Sequence, residues 1–193
     1  MNLKNNTHMK KMIRIFLLAI LYISSTNFSF GQKLDRDQLA NKIVLALQQS
    51  DVNVFINLVP TLSEYENGIK IQRSYSKITF KRPIKEEAKL VQADELKNVK
   101  GRYEDLKGEL CRGKKNPDWN TAKINRIIYE TEKSDGNEYS AILVELTDSK
   151  SDRKYYLEIE ATLTKSGWKL FDDVMMVEDH IEKRIETKNK RES

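Results

Sequence analysis

The chain is predicted to be an α+β protein in which N-terminal helices pack on a four-stranded antiparallel meander sheet, preceded by a signal peptide. Three observations predict it. Apolar residues recur at helical spacing through residues 35–59 and 84–112, the texture switches to period two through 119–176, and the connections between the period-two segments are too short for parallel crossovers.

A basic segment with Lys4, Lys10, Lys11 and Arg14 opens the chain, followed by an apolar run from Ile15 to Ile23 and the small, polar stretch Ser24 to Gln32. That is the three-part layout of a secretory signal. The run is about half of the roughly 20 residues a membrane-spanning helix needs, so residues 1–31 are expected to be a cleaved signal with Gln32 as the first mature residue, the alternative being an uncleaved anchor. The product is expected to be exported, periplasmic or secreted, with no stable membrane span. The signal holds four of the 34 Lys and Arg and none of the 29 Asp and Glu, which leaves the remainder close to neutral. The overall basicity therefore gives no reason to expect nucleic acid as a partner, since that needs a clustered basic surface. One cysteine, Cys111, forms no internal disulfide, and the single domain expected over 32–176 must be held by burial alone.

The first helix begins at Asp35, which has capping-box spacing to Gln38 and is followed by Leu39, Ile43 and Leu47 at intervals of four. Asp51 caps a second, short helix with Val52, Phe55, Ile56 and Val59, which Pro60 stops. Residues 61–83 carry mixed signals, with Ile69, Ile71 and Ile78 as anchors of a further helix or an irregular segment. A longer helix is expected from Ile84 to about Arg112 on the stripe Leu96, Val99, Tyr103, Leu106 and Leu110, with Gly101 and Gly108 as points where it breaks. The same stripe would serve a coiled-coil dimer.

Beyond the loop from Gly113 to Asp118, a first strand is expected over Trp119 to Thr131. Asp135-Gly136 forms a hairpin turn into a second, Tyr139 to Thr147. In the third, Tyr155, Leu157, Ile159, Ala161 and Leu163 face one way while Tyr156, Glu158, Glu160 and Thr162 face a wetted side. Ser166-Gly167 turns the chain into the fourth, Trp168 to about Met175. A charged tail or helix closes the chain over 177–193.

Beyond the expected signal, only His180 and Cys111 could supply nitrogen or sulfur ligands, so no metal site and no cofactor are expected. No glycine-rich phosphate loop occurs, and Asp148 to Asp152 lacks the glycine and the glutamate of a calcium loop. Carboxylates and aromatics remain. By strict alternation Asp172 shares a side with Trp168 and Leu170 and must then be paired, hydrogen-bonded, near water or raised in pKa within a cavity; a bulge, or a strand ending at Phe171, would instead leave Asp172 and Asp173 in solvent.

A capped amphipathic helix, a short second helix with "NLVP" at residues 57–60 and a Gly-Trp-Lys-Leu final strand at residues 167–170 together resemble the nuclear transport factor 2-like, cystatin-related superfamily, over about Asp35 to Met176. The resemblance implies a cone in which a strongly curved sheet wraps the first helix. It includes isomerases, dehydratases and cyclases as well as exported proteins that only bind. Its enzymes pair an acid with histidine or tyrosine inside the cone, and no histidine stands among the helices or strands expected here. The leading expectation is a non-catalytic binding or accessory protein whose apolar cavity is lined by Tyr103, Tyr155, Trp168 and Leu170, for a small apolar ligand. The alternatives are a cofactor-free enzyme using Asp172 as general base, and a protein-interaction module with a protein partner.

Overall fold

A computed structural model describes residues 33–77 and 79–178, apart from the side chain of residue 152. The expected signal at 1–31, Ile78 and the tail beyond Glu178 lie outside the described residues. Among the described residues four helices precede the sheet: α1 (Arg36–Gln49), α2 (Val52–Ile56), α3 (Leu62–Tyr75) and α4 (Ile84–Lys107). A two-residue hairpin follows, β1 (Leu110–Cys111) with β2 (Lys114–Lys115). The main sheet is β3 (Lys123–Ser134), β4 (Asn137–Asp148), β5 (Ser151–Thr164) and β6 (Gly167–Val177), antiparallel in the order of the chain. The chain is thus α+β with a four-stranded antiparallel meander.

The first three described helices start where a side chain satisfies free backbone N–H groups, whereas α4 follows Pro83 with no side-chain cap. Asp35 and Gln38 close a capping box on α1, at 2.7 and 3.1 Å, and Asp51 accepts from Asn53 and Val54 at the start of α2. α3 is a full helix in the stretch whose signals were mixed. Thr61 and Glu64 form a second capping box there, a pattern present in the sequence, but only Tyr65 and Ile69 are buried, which leaves no stripe to read.

α4 runs through Gly101 and stops at Gly108, five residues sooner than the periodicity predicts. The Asn116 side chain donates to the Asp105 and Gly108 carbonyls, both at 2.9 Å, and so holds the helix end open. Leu110 consequently leaves the apolar stripe and is exposed. A Cβ on Gly101 would meet nothing within 4 Å, so Gly101→Ala should stabilise the protein by about 0.5–1 kcal/mol, read as a higher urea midpoint at unchanged slope.

Alternation places Ile142, Val144 and Leu146 of β4, Leu157, Ile159 and Ala161 of β5, and Trp168, Leu170, Val174 and Met176 of β6 in one core with Leu39, Ile43 and Leu47 of α1 and Phe55 of α2. α1 fills this face. Trp119 is not the start of a strand. It sits in the turn before β3, donating from Nε1 to the Leu106 carbonyl at 2.5 Å. The opposite face is less wetted than alternation implies. Glu158 is buried between its strand partners Leu143 and Met175, and Leu143 and Tyr156 form a small second apolar cluster.

β6 is an edge strand, and the edge is covered. Leu34 pairs with Gly167 in parallel, giving its N–H to Ser166 and accepting from Trp168 at 2.8 Å, and the next free N–H, of Leu170, bonds to the Leu58 carbonyl at 2.9 Å. α4 packs beside the remainder of the strand. No helix among the described residues is long and apolar enough to cross a membrane.

Candidate functional site

The four aromatic and apolar residues expected to line a cavity are packed into the core instead. Tyr103 meets Phe55 edge-on with ring centroids 5.4 Å apart; the Tyr155 hydroxyl bonds to Ser151 at 3.1 Å; Leu170 is fully buried. Trp168 does face the helices, with the Arg36 guanidinium 4.6 Å from its ring centroid and 4.2 Å from that of Tyr129. The side chains of α1 and α2 occupy the space a ligand would need there.

Among the described residues a cleft of ligand size lies elsewhere. A cleft of about 670 Å³ opens between α3, the early turns of α4, the β3–β4 turn and the β5–β6 end of the sheet, with none of those four residues in its wall. Its apolar side comes from Tyr65, Ile69 and Tyr75 of α3, Val91 of α4, and Tyr139, Leu163 and Phe171 of the sheet. Tyr139 and Phe171 stack at a tilt with centroids 5.6 Å apart. The β3–β4 turn is held hard against α3: a Cβ on Gly136 would collide with the rings and methyls of Tyr75 and Ile71, and Asn137 donates to the Gly68 carbonyl at 3.3 Å. Glu64, from the first turn of α3, ties the other wall by accepting from Thr164 at 2.6 Å and from Ser166. Burial would raise its pKa, but these hydroxyls and Thr61 outweigh burial and hold it at about 2.

Asp172 is not beneath the helices. Ile159 pairs with Val174 and Ala161 with Leu170, so Phe171, Asp172 and Asp173 together face the single residue Glu160 in a wide bulge. Asp172 stands at its apex with φ of 65° and a side chain 67 % exposed, outside the cleft wall. Two extra residues preserve the parity of the strand, which is why Val174 and Met176 still point into the core. Alternation failed at one residue and held on either side of it.

The bulge assembles a network that sequence reasoning missed. Arg102 of α4 reaches Asp173 at 3.1 Å, Glu95 at 3.3 Å and Asp172 at 3.6 Å, and Arg112 holds the other Asp173 oxygen at 2.7 Å. Carboxyls outnumber guanidiniums here. Burial raises the Glu95 pKa to about 7 against the pull of Arg102, with Asp172 and Asp173 adding repulsion; burial, then Asp172, Asp173 and Glu158, raise Glu160 to about 7. Nothing local marks either residue: Glu95 is buried where α4 meets the bulge, and Glu160 is buried opposite the acids of the bulge itself. Among the described residues no group of three or more His, Cys, Asp or Glu is placed to hold a metal ion.

Cleft and network are neighbours through Tyr65, which feels the charges of Glu95 and Glu64, and through Phe171, which precedes Asp172. No protein-family model matches the chain, and no curated protein or solved structure matches it. The class of the molecule is therefore defined by its own geometry: helices on an antiparallel meander, with a lateral amphipathic cleft.

Proposed function

We propose that this is an exported, non-catalytic binding protein that holds a small, largely apolar ligand in the cleft between α3 and the sheet. One observation carries the reading: Tyr75, Val91 and Leu163, at 68, 39 and 40 % exposure, are large apolar side chains left in water, and all three line this one cleft. Apolar side chains scattered over a surface need no explanation, but convergence on a concavity of ligand size does. Export is supported by the three-part N-terminal segment, and a nuclear transport factor 2-like ancestry by the order of helices and meander. The enzyme reading loses support from the position of Asp172, whose exposed carboxylate lies outside the cleft wall.

The test uses Nile red as a neutral apolar probe. A Cβ on Gly68 would stand 3.7 Å from the Asn137 side chain, an ordinary contact, so a larger residue there grows into the cleft without disturbing the backbone. Saturable binding is expected for the natural chain, with Gly68→Phe weakening it at least tenfold at an unchanged melting temperature. Absence of saturable binding, or equal binding by the variant, would sink the reading. Mass spectrometry of an extract of the purified protein then identifies the natural occupant.

A further inference from the structure

The cleft wall contains one polar group with nothing to bond. Tyr65 is 6 % exposed, its Oη is covered, and that atom has no hydrogen-bond partner among the described residues. Buried hydroxyls are nearly always satisfied, and one that is not asks for a partner from outside the chain. The charged groups of the cleft, by contrast, are engaged: Glu64 by hydroxyls, Glu87 by Arg73, and Glu138 by Arg36 and Lys133. Ser63, Gln72 and Lys165 are exposed at the rim, where water serves them.

Resting on the binding function above, we infer that the ligand carries a neutral hydrogen-bond acceptor, such as a ketone oxygen, on an apolar body, and that Tyr65 is the residue that selects it. Neutrality follows from the surroundings. Burial, then Glu95, then Glu64 push the phenol well above its ordinary pKa, so it is a donor at every physiological pH, and Glu64, held ionised by its hydroxyl partners, repels an anionic ligand. Water does not reach Oη, so the ring must swing slightly for an occupant to take the bond. That swing sacrifices no hydrogen bond, since Oη has none to lose. The discrimination arises because a ligand without an acceptor leaves the hydroxyl as it was, whereas one with it gains a bond in a dry site.

Three probes with one ring system test this: 2-acetylnaphthalene, 2-ethylnaphthalene and 2-naphthoate, titrated calorimetrically. The natural chain should bind the ketone about tenfold more tightly than the hydrocarbon, with the carboxylate weakest. Tyr65→Phe should erase the preference for the ketone and leave the hydrocarbon's affinity unchanged; removing an unpartnered hydroxyl gives the variant no reason to misfold. Equal binding of ketone and hydrocarbon by the natural chain, or a ketone preference that survives Tyr65→Phe, overturns this inference alone, provided Gly68→Phe still blocks the hydrocarbon. If neither naphthalene binds, or Gly68→Phe blocks neither, the cleft itself is not a binding site and both conclusions fall.

Discussion

Gly167→Ala is expected to destabilise the protein by about 3 kcal/mol, a fall of roughly 10 °C in melting temperature for a domain of this size. Gly167 opens β6 with φ of 103°, beyond the left-handed region that other residues tolerate. A Cβ there would also land on the Leu34 backbone, overlapping its nitrogen and oxygen and standing 2.9 Å from its Cα. Neither obstacle is a side chain that can turn away. Relief requires Leu34 to retreat, which breaks its bonds to Ser166 and Trp168 and uncovers the edge of the sheet beside the first turn of α1. Gly113→Ala supplies the control. Gly113 also has positive φ, 77°, but a Cβ would meet nothing within 4 Å, so only the conformational cost of about 1 kcal/mol remains. Thermal melts of both variants separate strain from collision, and equal losses would mean that Leu34 does not cover this edge.

The same comparison explains what could and could not be read from the sequence. The hairpin at Asp135-Gly136 was legible because both residues adopt positive φ, 49° and 75°, the requirement that selects such pairs in two-residue turns. β5 was legible because its inner face is apolar at every second residue. α3 was not, although its capping box was in plain sight at Thr61 and Glu64, because a helix that lines a cleft buries too few side chains to show a period. Without α3 the cleft has no signature in the sequence, and the apolar residues that do stand out, Tyr103, Tyr155, Trp168 and Leu170, have the right chemistry but are occupied with the core. Asp172 illustrates a different limit. The paired acids of the final strand mark a departure from strand character, and a carboxylate side chain tolerates a left-handed backbone, but the number of residues inserted decides which way each one points. Glu95 and Glu160 were beyond local reasoning: burial raises both, and the bulge acids Asp172 and Asp173 that add to it stand more than 60 and about 12 positions away in the chain.

That burial, together with those neighbours, dictates how stability should depend on pH. An acid whose pKa is higher in the folded than in the unfolded chain binds protons on folding, so it favours the fold below its unfolded value and loses that contribution as the pH rises to its folded value. For Glu95 and Glu160 the window runs from 4.5 to about 7. Glu64 acts in the opposite sense, its contribution being present above 4.5 and lost as the pH falls toward about 2. Stability should therefore peak near pH 5 and decline by about 3 kcal/mol between pH 5 and pH 8, a shift of 2.5 pH units on one buried carboxyl being worth about that much. The two shifts do not add, because Asp172 and Asp173 contribute to both and Glu160 is only half-buried. Glu95→Gln keeps the shape and the acceptor for Arg102 while removing the ionisation. It should match the natural chain at pH 5, exceed it by about 2 kcal/mol at pH 8, and flatten the urea midpoint across the window at constant ionic strength. A natural chain whose stability rises from pH 5 to pH 8, or a Gln variant that is weaker at both, would show that Arg102 compensates the Glu95 charge fully, and the surplus of carboxyls around the bulge would then carry no energetic weight.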